Sequence, residues 1–187
     1  MKLIDGFHAH TSKELIVHRV KELLKILASE DTAFKDLYVE IIDLIDKKDE
    51  KWVSKVVSYS KVFSVVDRCE FCGSTECLSP TRLVPKERGG PLIPINLAMI
   101  CGNCASRKKT KGAYEWWVLE EGKELPPALE IRYLTTLYMM HKEANTLEMD
   151  FNTLHLYCNH CQAINACPGE ISPVCVEGII ELNVKKP

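Results

Sequence analysis

Cys69-Glu70-Phe71-Cys72 and Cys101-Gly102-Asn103-Cys104 are two C-x₂-C turns separated by 28 residues, and their reading decides the fold. Each such turn aims two thiolates at one point, so the pair supplies four soft donors for a tetrahedral, structural Zn²⁺ site. In so small a unit, metal binding and folding are coupled, so the cage is expected to carry the fold around it.

Working outward, the chain has nine cysteines in 187 residues, and eight fall into two local clusters: 69, 72, 101, 104 and 158, 161, 167, 175. Such clustering reads as metal ligation rather than a disulfide framework, and implies a reducing, cytoplasmic setting. In the second cluster, Cys158, Cys161, Cys167 and Cys175 suit a second Zn²⁺ knuckle that ties down the C-terminus. Four cysteines also suit a [4Fe–4S] cluster, and Cys167-Pro168 is similar to the Cys-Pro step of bacterial ferredoxin runs. His160 is a candidate to replace one thiolate. Cys77, the ninth, is read as a small hydrophobe that packs, or as an alternate ligand beside the first knuckle.

Residues 1–62 are expected to form a helical unit. Thr11-Ser12-Lys13-Glu14 has the form of a capping box, followed by Leu15, Ile16, Val20, Leu23, Leu24 and Leu27 near helical spacing. Asp31-Thr32 restarts the pattern with Phe34, Leu37, Tyr38, Ile41, Ile42 and Ile45, and a third helix covers roughly 50–60. Around the start of the middle segment, 63–121, Val62 to Val66 reads as a short β run leading into the first knuckle, Thr81 to Val84 as a second one, and Ala98 to Ile100 enters the second knuckle. Gly102 to Lys109 opens a helix, and 113–121 and 128–145 are further helices, the last announced by Pro126-Pro127. The segment 122–187 then combines that helix with a strand at Leu154 to Tyr157 and the second four-cysteine knuckle. The expected class is α+β, mainly helical, with a small zinc-stapled β unit between helical segments.

Hydrophobic residues make up 46% and charged residues 27%, which is globular rather than disordered. No segment approaches the run of roughly 18 to 20 apolar residues that spanning a membrane requires, and the N-terminus lacks a signal-like apolar stretch. Net charge is −2, but basic residues outnumber acidic ones 8 to 5 over 67–117 and are outnumbered 5 to 10 over 118–187. Any nucleic-acid surface must therefore be a local patch on the middle segment.

Cys69 to Cys72, Leu83-Val84-Pro85, Arg88-Gly89-Gly90, Asn96-Leu97, Cys101 to Cys104 and Arg107-Lys108 together resemble the zinc-bearing HNH endonuclease module. Two C-x₂-C pairs alone also occur in treble-clef and zinc-ribbon domains. The resemblance covers about a quarter of the chain. It implies a ββα-metal unit that grips DNA and presents a catalytic divalent cation. In that family an Asp-His-x-x-Pro run supplies a metal ligand and a neutral His as general base. Here Thr81 stands in place of the Asp and Arg82 in place of the His. A guanidinium stays protonated and cannot take a proton from water, so the base is gone. The helical ligand that the resemblance places directly after the last knuckle Cys is Ala105. Asn96 keeps its expected identity, and its implied role is to brace the hairpin loop.

The resemblance therefore implies an HNH-like scaffold without the family's hydrolysis, with Arg82, Lys86, Arg88, Arg107, Lys108, Lys109 and Lys111 contacting phosphates of DNA or RNA. Trp116-Trp117 reads as core packing first and as a stacking platform for unpaired bases second. A metal-dependent endonuclease rebuilt from His141, Asp150, His155 or His160 is the alternative, and a structural module that meets a protein partner is the third.

Overall fold

The computed structural model describes residues 7–60, 67–150, 152–153 and 172–184. These residues form a mainly helical protein with one two-stranded antiparallel sheet, as the sequence leads one to expect. The strand readings at Val62 to Val66 and Leu154 to Tyr157 lie outside the described residues, as do His155, His160, Cys158, Cys161 and Cys167.

Helix α1 (Ser12–Glu30) starts where the capping signal puts it. Thr11 Oγ1 accepts from Glu14 N at 3.2 Å, while the Glu14 carboxylate accepts from His10 N at 2.8 Å, one residue before the cap. The reciprocal box is thus displaced by one residue, and still satisfies two amides that the helix cannot. Its stripe of Leu15, Ile16, Val20, Leu23, Leu24 and Leu27 is buried. Helix α2 (Ala33–Asp46) buries Leu37, Ile41 and Ile45 and packs on α1, and α3 (Lys51–Ser58) buries Trp52 and Val56 and packs on α2.

Helix α4 (Gly102–Lys108) leaves the sheet, and α5 (Pro127–Glu143) opens with Pro127 in its first turn, where a missing N–H costs nothing. The α5 helix is buried on nearly every side and is the axis of the molecule. It packs on α1, on α3, on the 3₁₀ turn Pro94–Asn96 and on α6 (Pro173–Val184). Its hydroxyls turn inward on the backbone, with Thr135 Oγ1 on Ile131 O at 2.8 Å and Thr136 Oγ1 on Arg132 O at 2.9 Å. Helix α6 stands where the spacing of Cys167 and Cys175 leads one to expect an irregular knuckle. Residues 114–120 form π-helical turns rather than an α-helix, with Glu121 N bonded to Trp116 O at 3.1 Å.

Strands β1 (Leu78–Arg82) and β2 (Leu97–Cys101) pair with Leu78 opposite Cys101, Pro80 opposite Met99 and Arg82 opposite Leu97. The first strand begins three residues earlier than Thr81 to Val84 suggested. Leu83 and Val84 are buried, but their amides go to Asn96, through its carbonyl at 2.7 Å and its Oδ1 at 2.8 Å. Their apolar character reports burial, not a place in the ladder. One hydrophobic core runs through all three segments, taking Leu24 and Trp52 from the first, Phe71, Leu83 and Ile100 from the middle and Leu134 and Val176 from the last. Among the described residues no helix is long and apolar enough to cross a membrane.

Candidate metal centre

The hairpin brings both C-x₂-C turns to its open end. Cys101 closes β2 and caps α4, its sulfur accepting from Cys104 N at 3.4 Å. On the other side the chain doubles back at Gly73, φ 78°, with Gly73 N on Cys69 O at 2.8 Å and Cys69 N on Ser74 O at 2.6 Å. The Sγ atoms of Cys69, Cys72, Cys101 and Cys104 all lie within 4.8 Å of one another, and Cys72 and Cys101 are 3.6 Å apart. Four sulfurs around a tetrahedral ion at Zn–S about 2.3 Å stand roughly 3.8 Å apart, so the donor set fits a closed structural site.

Cys69, Cys101 and Cys104 are buried and Cys72 is exposed. Burial acts to raise the Cys69 thiol, but backbone amides of Cys101, Cys72 and Phe71 outweigh it and bring the group down to about 7. Burial and the neighbouring thiols push Cys104 up, and burial also raises Cys72. Thiols crowded in this way cannot all ionise unaided; a cation among them reverses that penalty. The arrangement is suited to holding a metal ion and gives it no open coordination position.

The knuckle is fixed to the body by residues that the sequence reading passed over. Glu70, inside the first C-x₂-C, pairs its N–H with Met99 O at 2.9 Å and accepts from Met99 N at 2.9 Å through Oε1. Its other oxygen meets the guanidinium of Arg132, fully buried on α5, which also donates to Leu97 O. Phe71 lies against Trp116 and Trp117, with ring centroids 4.9 and 5.2 Å away. Both tryptophans are buried, and their indole N–H groups are spent on Glu121 Oε1 and Glu124 O. They are core, and no face is left on which a base can stack.

At the other end of the hairpin, Asn96 is fully buried and braces the loop from inside. Its Nδ2 donates to Val84 O at 3.1 Å and Pro91 O at 2.9 Å. Gly90 passes so close that a Cβ there would stand 1.9 Å from Val84 O, which excludes any other residue. The loop is bolted to α6 through Glu177, a fully buried carboxylate. Glu177 accepts from Tyr133 Oη at 2.8 Å, Tyr114 N at 2.7 Å, Glu115 N at 3.2 Å and Arg88 Nη1 at 3.4 Å. Burial raises its pKa above the ordinary carboxylate range, against the pull of those donors. Gly112 makes room for it, since a Cβ there would stand 1.9 Å from Glu177 Oε1.

The expected phosphate-binding cations separate into three groups. Arg88 is 13% exposed and ion-paired to Glu115 and Glu177, and Lys108 is 1% exposed with Nζ on Lys111 O at 2.9 Å. Burial pushes Lys108 down to about 8. These two are structural and leave the candidate surface, because the core needs their stems and the Glu177 cluster needs the Arg88 charge. Arg107 and Lys111 are on the surface but paired with Glu121 and Glu120. Lys86 and Lys109 are exposed, and Arg82 is half-buried. Thr81 and Ala105 are also half-buried, Thr81 on β1 and Ala105 on α4.

His141 is not available to rebuild a catalytic site: both ring nitrogens are engaged, Nδ1 with Thr146 Oγ1 at 2.7 Å and Nε2 with Val176 O at 2.8 Å. Asp150 accepts from Thr153 N at 2.8 Å. Cys77 does not pack as a small hydrophobe; it is exposed, at φ 50°, and lies outside the four-sulfur group. Cys175 is buried in the first turn of α6, its sulfur 3.3 Å from Ser172 Oγ. Comparison of the chain with protein-family models, with curated proteins and with solved structures finds no match.

Proposed function

We infer that this protein is a zinc-stapled, HNH-like module that binds DNA or RNA and has lost the nuclease activity such a scaffold carries in its family. The observation that supports it most is the four-thiol cage closing a β1–β2–α4 unit, with Asn96 bracing the loop and Arg82 where the base would stand. Zn²⁺ is the ion this donor set suits best, and its role there is to hold the unit folded. A thiolate cage also suits a reducing, cytoplasmic compartment. The second metal, as Zn²⁺ or [4Fe–4S], rests on the spacing of Cys158, Cys161, Cys167 and Cys175. Two zincs in a colourless protein support the first form, and a brown protein containing iron supports the second.

The nucleic-acid surface is smaller than composition suggested. Arg82, Lys86 and Lys109 are its core, with Arg107 and Lys111 free to exchange their surface carboxylates for phosphate. Affinity for duplex and single-stranded DNA and RNA, measured across a salt series, tests the reading. Three phosphate contacts predict a slope of log K against log salt of about −2 to −3. No measurable binding at low salt overturns the function and leaves a metal-stapled protein of another role.

A further inference from the structure

A cleft of about 520 Å³ opens where α1, the α2–α3 turn and α5 meet, and none of its lining residues belongs to the metal hairpin. That volume lies within the roughly 300 to 1,000 Å³ of sites that take small molecules. Trp52 and Tyr138 close its floor, their rings edge to face with centroids 5.0 Å apart. Val17, Ile45 and the stacked rings of Phe7 and His18, 3.6 Å between centroids, complete the apolar lining. The floor is held in place before any ligand arrives: Tyr138 Oη donates to Glu50 Oε1 at 3.0 Å, and Glu50 is paired in turn with Lys142 of α5.

The charges of the rim are unevenly used. All four carboxylates of the lining already have donors: Glu50 as above, Glu14 from His10 N at 2.8 Å, Asp46 from Lys21 at 2.7 Å and Glu148 from Lys13 at 2.8 Å. Burial holds His18 below the ordinary histidine range, so the imidazole adds no charge at neutral pH. The third lysine of the lining, Lys48, is exposed and pairs with no carboxylate among the described residues. An apolar ring with one negative charge complements such a cleft, whereas a cationic ligand has to compete for a carboxylate that is already occupied.

We propose that this cleft binds a small aromatic carboxylate, its ring among Val17, Ile45 and Phe7 over the Trp52–Tyr138 floor and its carboxylate on Lys48 Nζ. The ring supplies most of the affinity, through apolar burial and edge-to-face contact. The exposed ion pair adds a smaller, salt-sensitive part and selects the sign of the ligand's charge. None of the contacts involves the cations of the nucleic-acid surface, so the site stands or falls apart from the function inferred above.

The test titrates the full, zinc-loaded, ¹⁵N-labelled chain with indole-3-acetate, indole, tryptamine and octanoate at low salt. The readout is the Trp52 indole N–H resonance, told apart from those of Trp116 and Trp117 by its loss in Trp52→Phe. Indole-3-acetate is expected to move that resonance and saturate, binding about threefold tighter than indole and tighter than tryptamine or octanoate. Lys48→Gln should remove the advantage over indole and leave indole binding as it was. Val17→Trp fills the cleft and should weaken every probe by at least roughly tenfold, with a thermal melt to show that it is folded. Lys48→Gln, at an exposed position, keeps the test decisive should Val17→Trp fail to fold. A Trp52 resonance that no probe moves at millimolar concentration overturns the site, as does a folded Val17→Trp that binds like the wild type. Tryptamine or octanoate binding as tightly as indole-3-acetate overturns the ligand class, and so does a Lys48→Gln variant with the preference unchanged.

Discussion

The hairpin is fastened at its two ends by opposite chemistry. At the open end, Cys69, Cys72, Cys101 and Cys104 gather four thiols within 4.8 Å, a group that repels itself once ionised and needs a cation to be stable. At the turn end, Arg88 reaches Glu177 on α6, whose buried carboxylate is already served by two amides and a tyrosine hydroxyl. The first fastening is short-range in sequence and incomplete without an ion. The second spans 89 residues and is complete within the protein. The difference shows that one small unit can be held by a conspicuous device and by an inconspicuous one at once.

Removing the cage should have the largest effect. Cys101→Ser is expected to unfold the hairpin unit, since structural zinc contributes on the order of 10 kcal/mol to domains of this kind. Zinc content and a thermal melt check it; a cooperative melt close to wild type would show that the Glu177 end holds the hairpin without help. Breaking the other end comes next. Glu177→Ala leaves two buried amides and the Tyr133 hydroxyl without that acceptor and takes one of the two carboxylates that Arg88 meets, and should cost about 3 to 5 kcal/mol in urea denaturation. Zinc affinity measured on the same variant sharpens the contrast: unchanged affinity makes the two fastenings independent, and a weakened one makes them a single cooperative unit.

A third effect depends on pH. Lys108, beside Glu177, has a folded value of about 8 against an unfolded 10.5, so between those values the folded chain holds fewer protons than the unfolded one. Stability should therefore rise as pH climbs from about 8 to about 10.5, by about 3 kcal/mol. Lys108→Met removes that rise, and denaturation midpoints of both proteins at pH 7.5 and near pH 10 compare them. Parallel profiles would mean that Lys108 is charged at no cost in its buried position. The smallest effect lies far from both ends. Thr11→Ala deletes the α1 cap and should cost about 1 kcal/mol, with zinc affinity untouched.

The cage was legible because metal chemistry writes its ligands into local repeats. The helices α1 to α3 were legible because their apolar spacing matches 3.6 residues per turn. The Glu177 cluster was not, since a glutamate in an apolar stretch, a Gly in Thr110-Lys111-Gly112 and a tyrosine in a helix carry no shared pattern. The same holds for Glu70 and Arg132, which meet 62 residues apart. Leu83 and Val84 misled the strand assignment because hydrophobicity marks burial before it marks backbone pairing. Arg88 and Lys108 misled the surface assignment for a related reason, since a charge in sequence says nothing of whether a buried partner awaits it.

By itself the sequence determined the helical body and the four-sulfur donor set. Each of these depends on residue type and short-range spacing, which a chain displays without folding. Only the tertiary structure decided which cations face solvent, which tryptophans are core, and that a carboxylate on the last helix anchors the hairpin loop. Those depend on desolvation and on contacts between distant segments, and neither exists until the core closes.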